Sequence, residues 1–185
     1  MDSKSALVYG QVRRALQAGR YTPGQRIDPA KLASEFKISP TPVRFALYRL
    51  VGEGMVTDHA RDGLHVPLFN EVALRNLYDW MERLLLMACD IGEAPAIQKT
   101  GKLELVAADG DLVKLTWQLF DAIARATAHG SLHHAVKQTN DRLAPIRRAA
   151  QGLLKSRFEE LSELSRNWET RDIPALKSAL RDYHE

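Results

Sequence analysis

At 185 residues, 45% hydrophobic and 26% charged, the chain has the size of one or two globular domains that bury a real core, and it lacks a disordered composition. It has no run of about 18 apolar residues and no long apolar N-terminal region, which argues against a membrane helix and a secretory signal, and its single cysteine, Cys89, excludes an internal disulfide framework. The formal charge is only +3, yet residues 1–69 hold ten Lys and Arg against six Asp and Glu, a net +4, leaving −1 for the remainder. Such an excess often serves only solubility, and it also suits phosphate binding. A cytoplasmic protein is expected, with Cys89 as a buried core thiol in preference to a metal ligand or nucleophile.

In chain order, residues 12–26 (VRRALQAGRYTPGQR) read as a short amphipathic helix closed by Gly19, followed by a Pro23-Gly24 turn. Residues 31–50 (KLASEFKISPTPVRFALYRL) read as two short helices joined by a tight turn. Leu32, Ala33 and Phe36 give the first an apolar face. Ser39 offers a hydroxyl as N-cap of the second, and Pro40 and Pro42 sit in its first turn, where a missing N–H costs nothing. Val43, Ala46, Leu47 and Leu50 form its buried stripe, while Thr41, Arg44, Tyr48 and Arg49 look outward. This suits a helix-turn-helix that reads the major groove, and periodicity alone fits a helical hairpin inside a core equally well. Beyond Gly52-Glu53-Gly54, Val56 opens an extended run, Arg61-Asp62-Gly63 makes a turn, and Leu64-His65-Val66 returns as a second strand.

With that two-stranded wing, the segment resembles the GntR family of bacterial transcription regulators. The resemblance rests on Pro23-Gly24, Leu32-Ala33, Ser39-Pro40-Thr41-Pro42-Val43-Arg44, Ala46-Leu47, Arg49-Leu50, Glu53-Gly54 and Gly63, in order over about the first third of the chain. One departure is Pro40, which stands where the family usually has an arginine after the N-cap serine.

Arg44 is the first candidate for a base-edge contact, because a guanidinium matches guanine O6 and N7; the resemblance implies the same. Ser39 and Thr41 are expected near phosphates at the helix N-terminus, Thr41 also as a base contact. Arg49 is a backbone contact or equally a solvated charge, and Arg61 at the wing tip is a minor-groove or phosphate contact. Arg26, the basic residue after Pro23-Gly24, completes the DNA-binding set, whereas His65 reads as a strand residue. With Pro40 in place of arginine, the operator consensus of relatives need not apply.

A domain boundary is expected at Phe69-Asn70, giving a winged helix-turn-helix of three helices and a two-stranded wing over 1–69 and an all-α bundle of about six helices over 70–185. Asn70 caps a helix with Leu74, Leu77, Tyr78, Met81, Leu84, Leu85 and Ala88 on one face. A weak helix is expected near 103–107 and a longer one over 111–128. Another starts at Gly130-Ser131, with a kink or break at Pro145. A fifth contains Phe158, Leu161, Leu164 and Trp168, and Asp172 caps the sixth. No internal repeat, low-complexity tract or phosphate-binding glycine loop is present.

This arrangement resembles the dimerising, effector-binding FCD domain of FadR-type GntR regulators. LRNLYDWMERLLLMACDIG is similar to its first helix, LFDAIARATAHGSL to an inner segment, and RDIPALKSALRDYHE to its last helix. Many such domains hold a divalent metal with one Asp and three His. Laid on that pattern, Trp117 takes the Asp position, Asp121 the first His, Leu161 the second and Tyr183 the third, with His184 one place off. The first-helix arginine that often meets an acidic effector falls on Met81. The resemblance therefore implies no metal site and no cofactor here, and His129, His133 and His134 read as solvated. Trp80, Met81, Trp117, Asp121, Leu161 and Tyr183, with Met87 and Phe120 beside them, either line a drier pocket for an apolar or aromatic effector or simply fill the space.

The expected function is a homodimeric, sequence-specific regulator, a repressor, on a palindromic operator in double-stranded DNA. Two alternatives stay open: an architectural or replicon-maintenance DNA-binding protein without effector, and a small-molecule binding protein or enzyme built on the helical half. No paired carboxylates, Ser/His/Asp set or metal cluster is legible that would name catalytic residues.

Overall fold

Val8, Val12 and Leu16 stand four residues apart and are the buried edge of the first helix, α1 (Lys4–Gln17), in the computed structural model. The structure describes residues 4–92, 111–151 and 157–184. They divide into two units, Met1–Phe69 with Ala144–Ala149 and Asn70–Leu143 with Ala150–Glu185.

In the first unit, α1 begins eight residues ahead of the expected residue 12. Lys4, Ser5, Gly10 and Gln11 dilute the apolar signal, but burial of Val8 secures the early turns. Gly19, at φ +74°, ends the helix: its N–H donates to Leu16 O (3.1 Å) and that of Arg20 to Ala15 O (3.0 Å). The next helix, α2 (Pro29–Glu35), is capped by Asp28, whose carboxylate accepts from Ala30 N at 2.8 Å. Lys37, at φ +53°, makes the tight turn into α3 (Pro40–Gly52), with Ile38 N–H donating to Ala33 O at 3.1 Å. Both α1 and α2 pack on α3.

The wing has three strands where two were expected. The central strand is β3 (Gly63–His65), antiparallel to β2 (Thr57–His59) on one side and to β1 (Arg26–Ile27) on the other. A two-residue strand carries no periodicity, so it is invisible before the fold exists. Ile27 faces Leu64 across the ladder, and both are buried with Val43, Leu47, Leu50, Met55 and Val56 in one core. The base of the wing is thus part of the same apolar cluster as the helices.

The second unit starts where Asn70 accepts from Ala73 N (2.8 Å) and caps α4 (Glu71–Gly92). Then come α5 (Leu112–Ala126), capped by Asp111, and α6 (Gly130–Ala149), which belongs to this unit as far as Leu143 and whose start is held by His129 through Leu132 N–H to Nδ1 (3.2 Å). After them follow α7 (Arg157–Thr170) and α8 (Ile173–His184), the latter capped by Asp172. Within this unit α4 packs on α5 and α8, and α7 packs on α5 and α8. Of the kink or break expected at Pro145, the break is absent: α6 runs through that residue although it supplies no N–H. The short helix expected near 103–107 lies outside the described residues. Among the described residues no helix is long and apolar enough to cross a membrane.

Candidate nucleic-acid interface

Helix α3 carries two stripes of identical spacing. Val43, Ala46, Leu47 and Leu50 are all fully buried, and Thr41, Arg44, Phe45 and Tyr48 are all exposed. The two sets differ by two residues, about 200° of helical rotation, so they occupy opposite faces. Burial of the first set therefore aims the second at solvent. The outward set expected from sequence lacked Phe45, which is 67% exposed and lies between Arg44 and Tyr48 in that stripe.

Ser39 holds the N-cap position of α3 with extended backbone (φ −68°, ψ 156°), but its hydroxyl makes no cap hydrogen bond, contrary to expectation. A cap oxygen accepts from the second or third residue of the helix. The third here is Pro42, which has no N–H, and the first is Pro40. Among the first three helix residues Thr41 alone carries an N–H, so the helix start offers a phosphate fewer N–H groups than expected. Ser39 and Thr41 are nonetheless exposed, with their hydroxyls available.

Arg49 is engaged within the protein. Its Nε donates to Glu53 Oε1 (3.2 Å), and its guanidinium lies 3.9 Å from the centroid of Tyr9. Tyr9 in turn donates its hydroxyl to Glu53 Oε2 at 2.8 Å, which ties α1 to the end of α3. Burial, and next the hydrogen bond to Glu53, push the Tyr9 phenol above its usual pKa. Tyr9 was not legible as part of this cluster, because it lies 44 positions from Glu53.

At the wing, Arg61 is exposed in the turn between β2 and β3, where Asp62 N–H donates to His59 O (2.9 Å). Arg26, also exposed, stands opposite His65 in the ladder, and a Cβ added to Gly63 would lie 3.7 Å from its Nε. The Arg26 guanidinium therefore lies beside Gly63, two residues along the chain from Arg61. His65 is turned in: its side chain is 12% exposed and pairs with Asp62 (3.3 Å) and Gly63 O (3.1 Å). Arg26, Arg61 and the outward face of α3 are all parts of one unit with one core.

Of the residues considered for an effector pocket, Met81, Leu161 and Tyr183 are buried, and the Phe120 ring meets that of Tyr183 edge-on at 5.6 Å. Trp80 does not join them; it is 48% exposed, off the stripe of Leu77, Met81, Leu84 and Ala88. Trp117 turns its indole N–H to Asp141 Oδ1 (2.8 Å), and the Asn140 side chain donates to Trp117 O (2.9 Å). Asp121, with a side chain 8% exposed, pairs with His133 Nε2 (2.7 Å) and Arg125. His133 is thus bound to a carboxylate and is not the solvated residue expected. The signal was present: α5 and α6 are joined by residues 127–129, so positions shortly before and after that turn meet. Among the described residues no group of three or more His, Cys, Asp or Glu is arranged to hold a metal ion.

These features have known counterparts. The sequence pattern of the bacterial regulatory proteins, gntR family, matches residues 4–66. The Nta operon transcriptional regulator of Aminobacter aminovorans is 39% identical over 59 residues, which span 32% of this chain and 28% of that protein. E. coli McbR/YncC superposes with a TM-score of 0.80 at 21% identity, covering 100% of this chain and 94% of that one. A putative GntR transcriptional regulator from Rhodococcus sp. RHA1 gives 0.80 at 18% identity over 99% and 94%. At such identities the two structures speak for the fold alone, while the sequence match speaks for the first unit. Residues 4–66 of this chain match the gntR family of bacterial regulatory proteins and fold as a winged helix-turn-helix.

Proposed function

We propose that the chain is a sequence-specific DNA-binding transcription regulator that acts as a homodimer on a palindromic operator and represses by occlusion. The observation that carries this reading is the outward stripe of α3, with Thr41 and Arg44 exposed opposite a fully buried face, in a gntR-family domain. Arg44 enters the major groove and takes a guanine; Ser39 and Thr41 approach phosphate; Arg26 and Arg61 engage the backbone or minor groove beside the wing. Arg49 contributes chiefly by holding α3 to α1 through Tyr9 and Glu53. The second unit, similar in helix order to an FCD domain, supplies the dimer that matches a two-fold operator. Burial of Met81, Leu161 and Tyr183 supports a filled interior over an open effector pocket in that unit.

The test is selection of bound duplexes from a random pool at stated salt with competitor DNA, alongside sedimentation of the free protein. A two-fold symmetric enriched site and a dimeric mass are the expected results. Binding without sequence preference would replace this reading with an architectural role.

A further inference from the structure

We infer that Phe45 is a base-reading residue that recognises the C5 methyl group of a thymine beside the guanine taken by Arg44. This rests on the DNA-binding reading above and assigns it a second specificity determinant.

Phe45 has no place in the core. It lies 67% exposed on α3, with Ala46 and Leu47 of the same turn completely buried behind it. Leaving a phenyl ring in water is unfavourable, and unlike Tyr48 (54% exposed) it has no hydroxyl to be solvated. Its neighbours say what covers it. Thr41 is one turn before it, Arg44 and Tyr48 flank it, and the helix sequence PTPVRFALYRLVG contains no carboxylate. An apolar ring set among a cation and hydroxyls, with no acidic residue on the helix, complements an anionic surface that displays one small apolar group. In the major groove that group is the thymine methyl, which phenylalanine is suited to contact. Arg44 and Phe45 are adjacent in sequence and project about 100° apart on the helix, so the two side chains leave it in different directions, which suits contacts to two different base pairs.

The experiment uses the full chain and the duplex enriched from a random pool. The guanine read by Arg44 is located as the position at which Arg44→Ala loses preference. Each thymine of the site is then replaced in turn by deoxyuridine, which removes only the methyl. One thymine within two base pairs of that guanine is expected to show wild-type binding weakened about four-fold, the effect of losing one buried methyl. Phe45→Ala, which removes an exposed side chain and keeps the fold by circular dichroism, is expected to bind the two duplexes equally. If the wild type is indifferent to every deoxyuridine, or Phe45→Ala discriminates as the wild type does, the inference is overturned while the enriched site still upholds the regulator. In that case Phe45 belongs to a protein-facing surface. If no site is enriched, the regulator reading itself fails and takes this inference with it.

Discussion

The guanidinium of Arg49 lies over the ring of Tyr9, 3.9 Å from its centroid, while Glu53 accepts hydrogen bonds from both residues. A basic residue of α3 is thereby spent on joining that helix to α1. Arg49→Ala is expected to cost about 0.5–1 kcal/mol of stability, because the side chain is largely exposed. Its effect on specific DNA affinity should be smaller than that of Arg44→Ala. Urea denaturation and operator titration of the two variants, run in parallel, check both halves; an Arg49 variant that binds worse than the Arg44 variant would reverse the assignment.

The same cluster has a pH signature. The folded-state pKa of Tyr9 is raised by burial and by Glu53, so the bond is fully present below the unfolded tyrosine value of about 10 and is lost as pH rises through the higher folded value. Tyr9→Phe is expected to be less stable than wild type at neutral pH by about 0.5–1.5 kcal/mol. That gap should narrow above about pH 10. A gap that stays constant through the alkaline range would show that Tyr9 titrates as it does in the unfolded chain.

Arg44 and Arg61 should differ in kind. Arg44→Ala is expected to lose about 1–3 kcal/mol of specific binding and to relax preference at one base position, with the fold unchanged. Arg61→Ala should weaken binding nearly equally across sequences and lower the salt slope by about one. Salt-dependent titrations on the enriched and a scrambled duplex separate the two. Equal losses on both duplexes for Arg44→Ala would remove it from the base edge.

Ile27 is 1% exposed and pairs with Leu64, so the short β1 strand anchors the wing to the core. Ile27→Ala is expected to cost about 2–5 kcal/mol, the range for truncating a buried aliphatic side chain. The exposed Val72 (69%) serves as the control, with Val72→Ala expected to change stability by less than about 0.5 kcal/mol. A shift in the chemical denaturation midpoint for Val72→Ala as large as that for Ile27→Ala would contradict the burial pattern.

In the helical unit, Asp121 joins α5 to α6 through His133. Asp121→Ala leaves partners of a buried carboxylate without it and is expected to destabilise by about 1–3 kcal/mol. A double-mutant cycle with His133→Ala should report a coupling of about 0.5–3 kcal/mol. Additive single effects would mean that the pair contributes no mutual stabilisation.

The amino-acid order by itself determined the helix-turn-helix, the wing turn and the helical nature of the rest, because those depend on short-range spacing. Val43, Ala46, Leu47 and Leu50 announce a buried face whatever they pack against, and their spacing alone aims Arg44 outward. Asn70, Asp111 and Asp172 announce helix starts because a cap acts over three residues. Only the tertiary structure decided what depends on segments distant in sequence. Strand β1 exists because Ile27 meets Leu64; Arg49 is held by Tyr9 from another helix; His133 finds Asp121 across a hairpin. The silent cap at Ser39 lies between these cases: Pro42 was visible in the sequence, but its missing N–H mattered only once the helix start had taken its geometry. Local periodicity is a property of the chain, whereas a partner for a side chain is a property of the packing.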